Sequence, residues 1–164
     1  MDTPQPEHVY RLAESRPQAI VVYCGDPRFQ RAIREFIANE LHLQDEEYFP
    51  LVVSGGVASL SEPMKLPKEF KFMKERIELI LKLFGSIRRV VLINHEDCRH
   101  YEAMKTSLGS IFLQHFQHMT ERQIRDLTQV AKTVLALGAP GLQVELYYAR
   151  IVKNGEPTVQ FDKI

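Results

Sequence analysis

The sequence has few of the features that mark several large classes of protein. It contains two cysteines and no tryptophan, and its 21 basic residues balance its 21 acidic residues. A chain without net charge has no global field to attract nucleic acid or anionic lipid, so we expect neither as a partner. Two cysteines are also too few for a disulfide scaffold in a chain of 164 residues.

Signals for membranes and secretion are missing from the pattern as well. No apolar run is long enough to cross a bilayer, and residues 1–6 lack the basic and apolar regions of a signal peptide. We therefore expect a cytoplasmic protein. The length predicts a single domain over residues 1–164, with an irregular N-terminal segment over residues 1–17.

Short apolar runs alternate with amphipathic segments along the chain. The runs predict strands, and the segments between them carry apolar residues at helical spacing. Asn154-Gly155 separates the last two runs and is a strong hairpin signal. The pattern predicts an α/β fold, with a mostly parallel open sheet, helices on both faces and a C-terminal antiparallel edge hairpin. The predicted strands are 19–23, 49–53, 89–93, 142–152 and 158–161.

Polar residues before two of the helical segments predict where those helices begin. Asp26 suits the N-cap of the first helix, and Pro27 suits its first position. Thr120 and Gln123 have the spacing of a capping box for the last helix. Both signals place a polar side chain where it would bind the free N–H groups of a helix.

Prolines and a glycine, which interrupt regular secondary structure, predict the conformation of two further segments. Residues 57–68 contain Pro63 and Pro67 and predict an irregular loop, which is a candidate lid over a site. Helical character resumes after Glu96, with a predicted break near Gly109.

Three potential metal ligands follow predicted strands. Cys24 ends the first strand, His95 follows the third, and Cys98 comes three residues later. In open parallel sheets, ligands bind beyond the carboxyl ends of the strands. If the first and third strands are neighbours, the three side chains meet. Thiolate and imidazole are the ligands that Zn²⁺ prefers, and three of them leave a tetrahedral ion one open position for catalysis.

Other interpretations of these residues remain open at this point. H-x-x-C by itself is a weak signal for metal binding. The two cysteines could instead pair with each other or act as small buried hydrophobes. Asp26 could supply a fourth ligand and close the site. His100 is interpreted as a surface histidine in preference to a proton carrier.

The order of these residues resembles the β-carbonic anhydrases. C-x-D-x-R at residues 24–28, followed by H-x-x-C at residues 95–98, is similar to the signature of that family, and each part follows an apolar strand. Residues 87–98 also resemble the strand that leads into its zinc-binding turn. The resemblance extends over about residues 19–101.

The resemblance implies a function and a role for each site residue. Cys24, His95 and Cys98 would be the zinc ligands. Asp26, paired with Arg28, would orient a zinc-bound hydroxide that attacks CO₂ and gives bicarbonate. The resemblance also implies a homodimer or a higher homo-oligomer.

Several positions depart from the family's pattern. Pro27 replaces a serine, Arg99 replaces a glycine, and Val52 and Val53 stand where the family has Arg-Asn. The predicted ligands are unchanged by these departures, but the substrate is left open. The alternatives are a non-catalytic zinc-binding module, or a hydrolase of another small electrophile such as carbonyl sulfide or carbon disulfide.

Overall fold

The computed structural model describes residues 9–107 and 119–164. Within them, five strands form one sheet, and helices connect the parallel strands. A short 3₁₀ turn covers Asp45–Glu47. The strands are β1 (Ala19–Cys24), β2 (Tyr48–Val53), β3 (Arg89–His95), β4 (Gln143–Val152) and β5 (Thr158–Lys163). The helices are α1 (Gln30–Asn39), α2 (Ala58–Ser61), α3 (Pro67–Leu83), α4 (Arg99–Ser107) and α5 (Met119–Leu135).

The sheet has the order β2-β1-β3-β4-β5. β1 pairs in parallel with both β2 and β3, β3 pairs in parallel with β4, and β4 and β5 are antiparallel. The predicted fold class is therefore confirmed, including the C-terminal hairpin. The adjacency of the first and third strands, on which the meeting of the three ligands depends, is present, since Ile20 lies opposite Val90 and Val22 lies opposite Leu92.

Both faces of the sheet are covered. Alternate β1 residues, such as Val21 and Tyr23, pack with apolar residues of α1. The intervening residues, Ile20 and Val22, pack on the other face with apolar residues of α3 and α5. A strand that is buried on both faces has no polar side to present, which explains the unbroken apolar run of β1.

The first helix begins later than the sequence predicts. Asp26 is not its N-cap, because α1 begins at Gln30 after a turn over residues 27–29. The Asp26 carboxylate instead accepts a hydrogen bond of 3.0 Å from the backbone N–H of Arg28. An aspartate that bonds the backbone two residues on forms a local turn, and here that turn displaces the predicted cap.

The predicted capping box of α5 is wrong too. Thr120 lies inside the helix, and its hydroxyl is 3.2 Å from the hydroxyl of Tyr148. The Gln123 side chain is fully buried and has no hydrogen-bond partner among the described residues. Contacts with the sheet and the core therefore override the local signal.

The segment 57–68 is not the irregular loop that its prolines predict. It contains the helix α2, and α3 begins within it at Pro67. Val57, Ala58 and Leu60 are buried, so apolar packing fixes the first half of the segment. A role as a lid stays a prediction.

The remaining local predictions concern the N-terminal segment and the region near Gly109. Residues 9–17 have no regular secondary structure, and residues 1–8 lie outside the described residues, so the irregular segment 1–17 stays a prediction. The predicted break near Gly109 also lies outside them. No described helix is both long enough and apolar enough to span a bilayer.

Candidate metal centre

The fold brings together the three predicted ligands. Cys24 is the last residue of β1, His95 is the last residue of β3, and Cys98 immediately precedes α4. Their ligating atoms all lie within 4.8 Å of one another, and the two sulfur atoms are 3.9 Å apart. All three residues are buried. Parallel strands end at the same edge of a sheet, so the convergence follows directly from the pairing of β1 with β3.

The hydrogen bonding of His95 leaves one ring nitrogen available as a ligand. Nδ1 lies 2.8 Å from the carbonyl oxygen of Glu96. A carbonyl oxygen only accepts, so Nδ1 is the donor, and in the neutral ring Nε2 keeps its lone pair. Nε2 is buried and has no hydrogen-bond partner among the described residues. Leaving a buried polar atom unsatisfied is costly, and a metal ion would satisfy this one. The residues therefore fit a bound metal.

The two cysteines differ in their surroundings. The backbone N–H of Gly55 donates to the sulfur of Cys24 over 3.3 Å. The hydrogen bond from the Cys98 thiol lowers the pKa of Cys24 to about 4. The same contact, together with burial, raises the pKa of Cys98. The thiolate is the form of cysteine that binds metals, so binding a metal would displace any proton that the two sulfurs share.

Asp26 and Arg28 form a close ion pair beside the sulfurs. Nη2 of Arg28 donates to Oδ2 of Asp26 over 2.7 Å, and Nε donates to both carboxylate oxygens over 3.1 and 3.2 Å. The Asp26 side chain is only 10% exposed. The hydrogen bonds from Arg28 lower the pKa of the Asp26 carboxyl. Asp26 is therefore held as an anion, and the guanidinium fixes the orientation of its carboxylate.

Arg28 also binds a residue that the sequence analysis missed. Its Nη1 donates to the Asp97 carboxylate over 2.6 Å, and its Nη2 donates to the Asp97 carbonyl oxygen over 2.8 Å. Asp97 lies between His95 and Cys98 and has a φ of 56°. Non-glycine residues adopt this left-handed region infrequently, although aspartate is enriched there. No spacing in the sequence signals this contact, because it joins residues 69 positions apart.

His100 is not the exposed histidine that the sequence predicted. It is partly buried, and its Nδ1 is 3.0 Å from the hydroxyl of Ser54. A Cβ placed on Gly55 would overlap the His100 ring, so the imidazole packs directly on that glycine. A cavity of about 510 Å³ opens here; its walls include Cys24, Asp26, Arg28, Ser54, Cys98 and His100. The predicted site residues other than His95 therefore line one cavity.

Gly56 sits where backbone passes close to the site, and this contact is testable. Its φ is 56°, and a Cβ there would lie 3.2 Å from the carbonyl oxygen of Ile93 and 3.0 Å from Oδ1 of Asn94. Gly138 has a φ of 72° but no described atom within 4 Å of such a Cβ. Left-handed backbone costs both alanine variants about 1 kcal/mol. We expect Gly56→Ala to lower the free energy of unfolding by about 1–2 kcal/mol more than Gly138→Ala. Urea unfolding of both variants measures the difference, and equal losses would contradict the close contact.

Comparisons with known proteins identify the fold. No protein-family model and no curated protein matched the chain. Solved structures did match it. The tetrameric β-carbonic anhydrases of Sordaria macrospora gave a TM-score of 0.53 at 16% identity, over 92% of this chain and 84% of that one. The carbonic anhydrase of Streptococcus mutans gave 0.47 at 16% identity, over 92% and 87%. That of Glaciozyma antarctica gave 0.44 at 18% identity, over 88% and 83%.

The first of these matches identifies the fold class of the chain. Its TM-score shows that the chain has the β-carbonic anhydrase fold, which confirms at the level of the fold the resemblance seen in the sequence. An identity of 16% shows the fold alone. The chemistry has to be argued from the residues of this chain.

Proposed function

We propose that this protein is a zinc-dependent carbonic anhydrase that hydrates CO₂ to bicarbonate. One observation supports this above all. The ligating atoms of Cys24, His95 and Cys98 are buried and converge within 4.8 Å, beside a carboxylate that an arginine holds in place, and Nε2 of His95 has no hydrogen-bond partner among the described residues. A closed structural site needs a fourth protein ligand, and Asp26 is already engaged by Arg28. The arrangement favours an ion with one position left for solvent.

The donor set suits zinc in particular. Zinc–sulfur bonds of about 2.3 Å in a tetrahedral arrangement place two sulfur atoms about 3.8 Å apart. The two sulfurs of this chain are 3.9 Å apart. When bound, Zn²⁺ supplies a water molecule of lowered pKa, which is a nucleophile for CO₂ near neutral pH.

The residues of the chain would orient the reactants. The Asp26 carboxylate lines the same cavity as the two sulfurs, so it can accept a hydrogen bond from the reactive water and fix the direction of its lone pair. Arg28 keeps that carboxylate ionised and keeps it from turning towards the metal. Glu96 holds the tautomer of His95 through its backbone carbonyl oxygen.

The proposal also covers the assembly and the compartment of the protein. The matched Sordaria enzymes are described as tetrameric. We accordingly propose a homodimer or a higher homo-oligomer. A cytoplasmic location is proposed from the sequence pattern alone.

Stopped-flow measurement of CO₂ hydration tests the function on the natural chain. We expect zinc-loaded protein to accelerate hydration above the buffer rate, because the metal supplies the nucleophile. Removal of the metal with a chelator should return the rate to that of buffer, and adding zinc back should restore it. Protein that holds one zinc per chain without exceeding the buffer rate would contradict the proposal and favour a non-catalytic zinc-binding module.

A further inference from the structure

Both potential ligands on β3 and its following turn lie in one short segment, residues 94–101, which we call the ligand loop. Its first residue, Asn94, precedes His95 at the end of β3. Its last residue, Tyr101, lies in the first turn of α4, just after Cys98. The separation between the His95 and Cys98 side chains therefore depends on how the two ends of this loop are held.

A buried hydrogen bond joins the two ends of the ligand loop. Nδ2 of Asn94 lies 3.2 Å from the hydroxyl oxygen of Tyr101. The same amide nitrogen also donates to the carbonyl oxygen of Gln123 in α5, over 3.2 Å. Asn94 and Tyr101 are each 2% exposed, so water does not compete for these contacts.

A buried carboxylate fixes Tyr101 in turn. The Tyr101 hydroxyl donates to Oδ2 of Asp126 over 3.0 Å. The Ser61 hydroxyl lies 3.1 Å from the same oxygen and 2.9 Å from the carbonyl oxygen of Ala58, so its one proton is shared between these two acceptors. Nε of Arg122 donates to Oδ1 over 2.9 Å. Arg122 is paired with Glu62 as well. Asp126 is thus anchored to α2 and to its own helix, and it presents a fixed acceptor to Tyr101.

The middle of the ligand loop is held from other directions. The Glu96 N–H donates to the carbonyl oxygen of Ala149, and the Glu96 carboxylate accepts from the N–H of Ile151. Asp97 is bound by Arg28. These contacts fix the residues between the ligands. Among the hydrogen bonds of the described residues, only the Asn94–Tyr101 bond joins one end of the loop to the other.

We propose that Asn94, Tyr101 and Asp126 form a buried clasp that sets the geometry of the ligand loop and thereby how firmly the protein holds its metal. All three are positioning residues that act through His95 and Cys98. Groups that orient metal ligands typically change metal affinity by about ten- to a hundredfold when they are removed. The inference rests on metal binding at this site, as in the proposed function, but does not depend on CO₂ being the substrate.

Two conservative variants separate this role from a general loss of stability. Tyr101→Phe removes one hydroxyl that donates to Asp126 and accepts from Asn94. Ser61→Ala removes another hydroxyl that bonds the same oxygen of Asp126, shared with the carbonyl oxygen of Ala58, and that makes no hydrogen bond to the ligand loop among the described residues. Both variants cost the carboxylate one donor, and only Tyr101→Phe opens the clasp.

The measurement is the rate of zinc loss to an excess of a chromophoric chelator, with urea unfolding of the metal-free proteins alongside. We expect Tyr101→Phe to release zinc about tenfold faster than the natural chain, and Ser61→Ala to release it at the natural rate. With Co²⁺ in place of zinc, the visible absorption bands should change in Tyr101→Phe and stay unchanged in Ser61→Ala. If Tyr101→Phe does not fold, Asp126→Asn takes its place, because it keeps the shape and weakens the acceptor of the tyrosine hydroxyl.

The outcomes distinguish this inference from the proposed function. Equal zinc release and equal Co²⁺ spectra in all the proteins would overturn the clasp while leaving the metal site intact. Zinc release that rises equally in Tyr101→Phe and Ser61→Ala, in step with lost stability, would also overturn it. A natural chain that binds neither metal would overturn both the clasp and the proposed function.

Discussion

Cys98→Ser should leave the protein with almost no zinc, while the natural chain carries one zinc per molecule. The substitution replaces a thiolate ligand with a hydroxyl that stays protonated near neutral pH, because serine is a far weaker acid than cysteine. The remaining cysteine and histidine are too few ligands to hold the ion firmly. Elemental analysis of protein purified without chelators gives the metal content directly.

Two histidine variants accompany this experiment: His95→Ala tests a second ligand, and His100→Ala is the control. We expect His95→Ala to lose the metal as well, since its imidazole belongs to the ligand cluster and its Nε2 is buried without a hydrogen-bond partner among the described residues. His100→Ala should keep it, because the His100 ring bonds Ser54 and lies outside that cluster. Circular dichroism of each metal-free variant shows whether the fold survives. Full zinc occupancy in Cys98→Ser would contradict the proposed metal site, the proposed function and the clasp.

The fold could be predicted from the sequence because its signals are local. β1 is buried on both faces and therefore reads as an unbroken apolar run, and Asn154-Gly155 marks the hairpin before β5. The order of the strands is a different matter. That β1 lies between β2 and β3 depends on helices packing on opposite faces, a long-range property that no single segment encodes.

The centre of the site was predictable, and its surroundings were not. Cys24 and His95 end parallel strands, and such ends meet at one edge of a sheet. The partners of these residues, however, come from distant positions. Asp97 is bound by Arg28 across the fold, and Asp126 reaches Tyr101 from another helix. These contacts carry no periodicity or spacing, so only the folded chain reveals them.

The failed helix caps have the same cause. Asp26 has the residue type and position of an N-cap, but its carboxylate is taken by the side chain and the backbone N–H of Arg28. Thr120 likewise bonds a tyrosine of β4 in place of the free N–H groups of its helix. The propensity of a residue to cap a helix is overridden where another contact satisfies the same polar group.

Arg28→Gln is expected to reduce CO₂ hydration by about 10²–10⁴-fold without removing the zinc. Glutamine cannot reproduce the several hydrogen bonds that the guanidinium makes to Asp26 and Asp97. Asp26 would then be free to turn towards the metal and occupy the position that solvent needs. Its pKa would also rise, because the hydrogen bonds from Arg28 are the main cause of its lowered value. The ionised form would therefore be lost at a higher pH than in the natural chain, and the acid limb of the rate profile would move to higher pH.

Arg31→Gln is the matched control, since Arg31 lies three positions further on and is 89% exposed in a surface pair with Glu35. Such a pair contributes little, so activity, zinc content and pH profile should all match those of the natural chain. Arg28→Lys keeps the charge but cannot form the bidentate pair, and we expect its activity to lie between the other two. Stopped-flow hydration across a pH series, with zinc content measured on the same samples, decides the matter. If Arg28→Gln retains full activity with an unchanged acid limb, Asp26 is not held for catalysis, and the pair serves only to anchor the turn that contains Asp97.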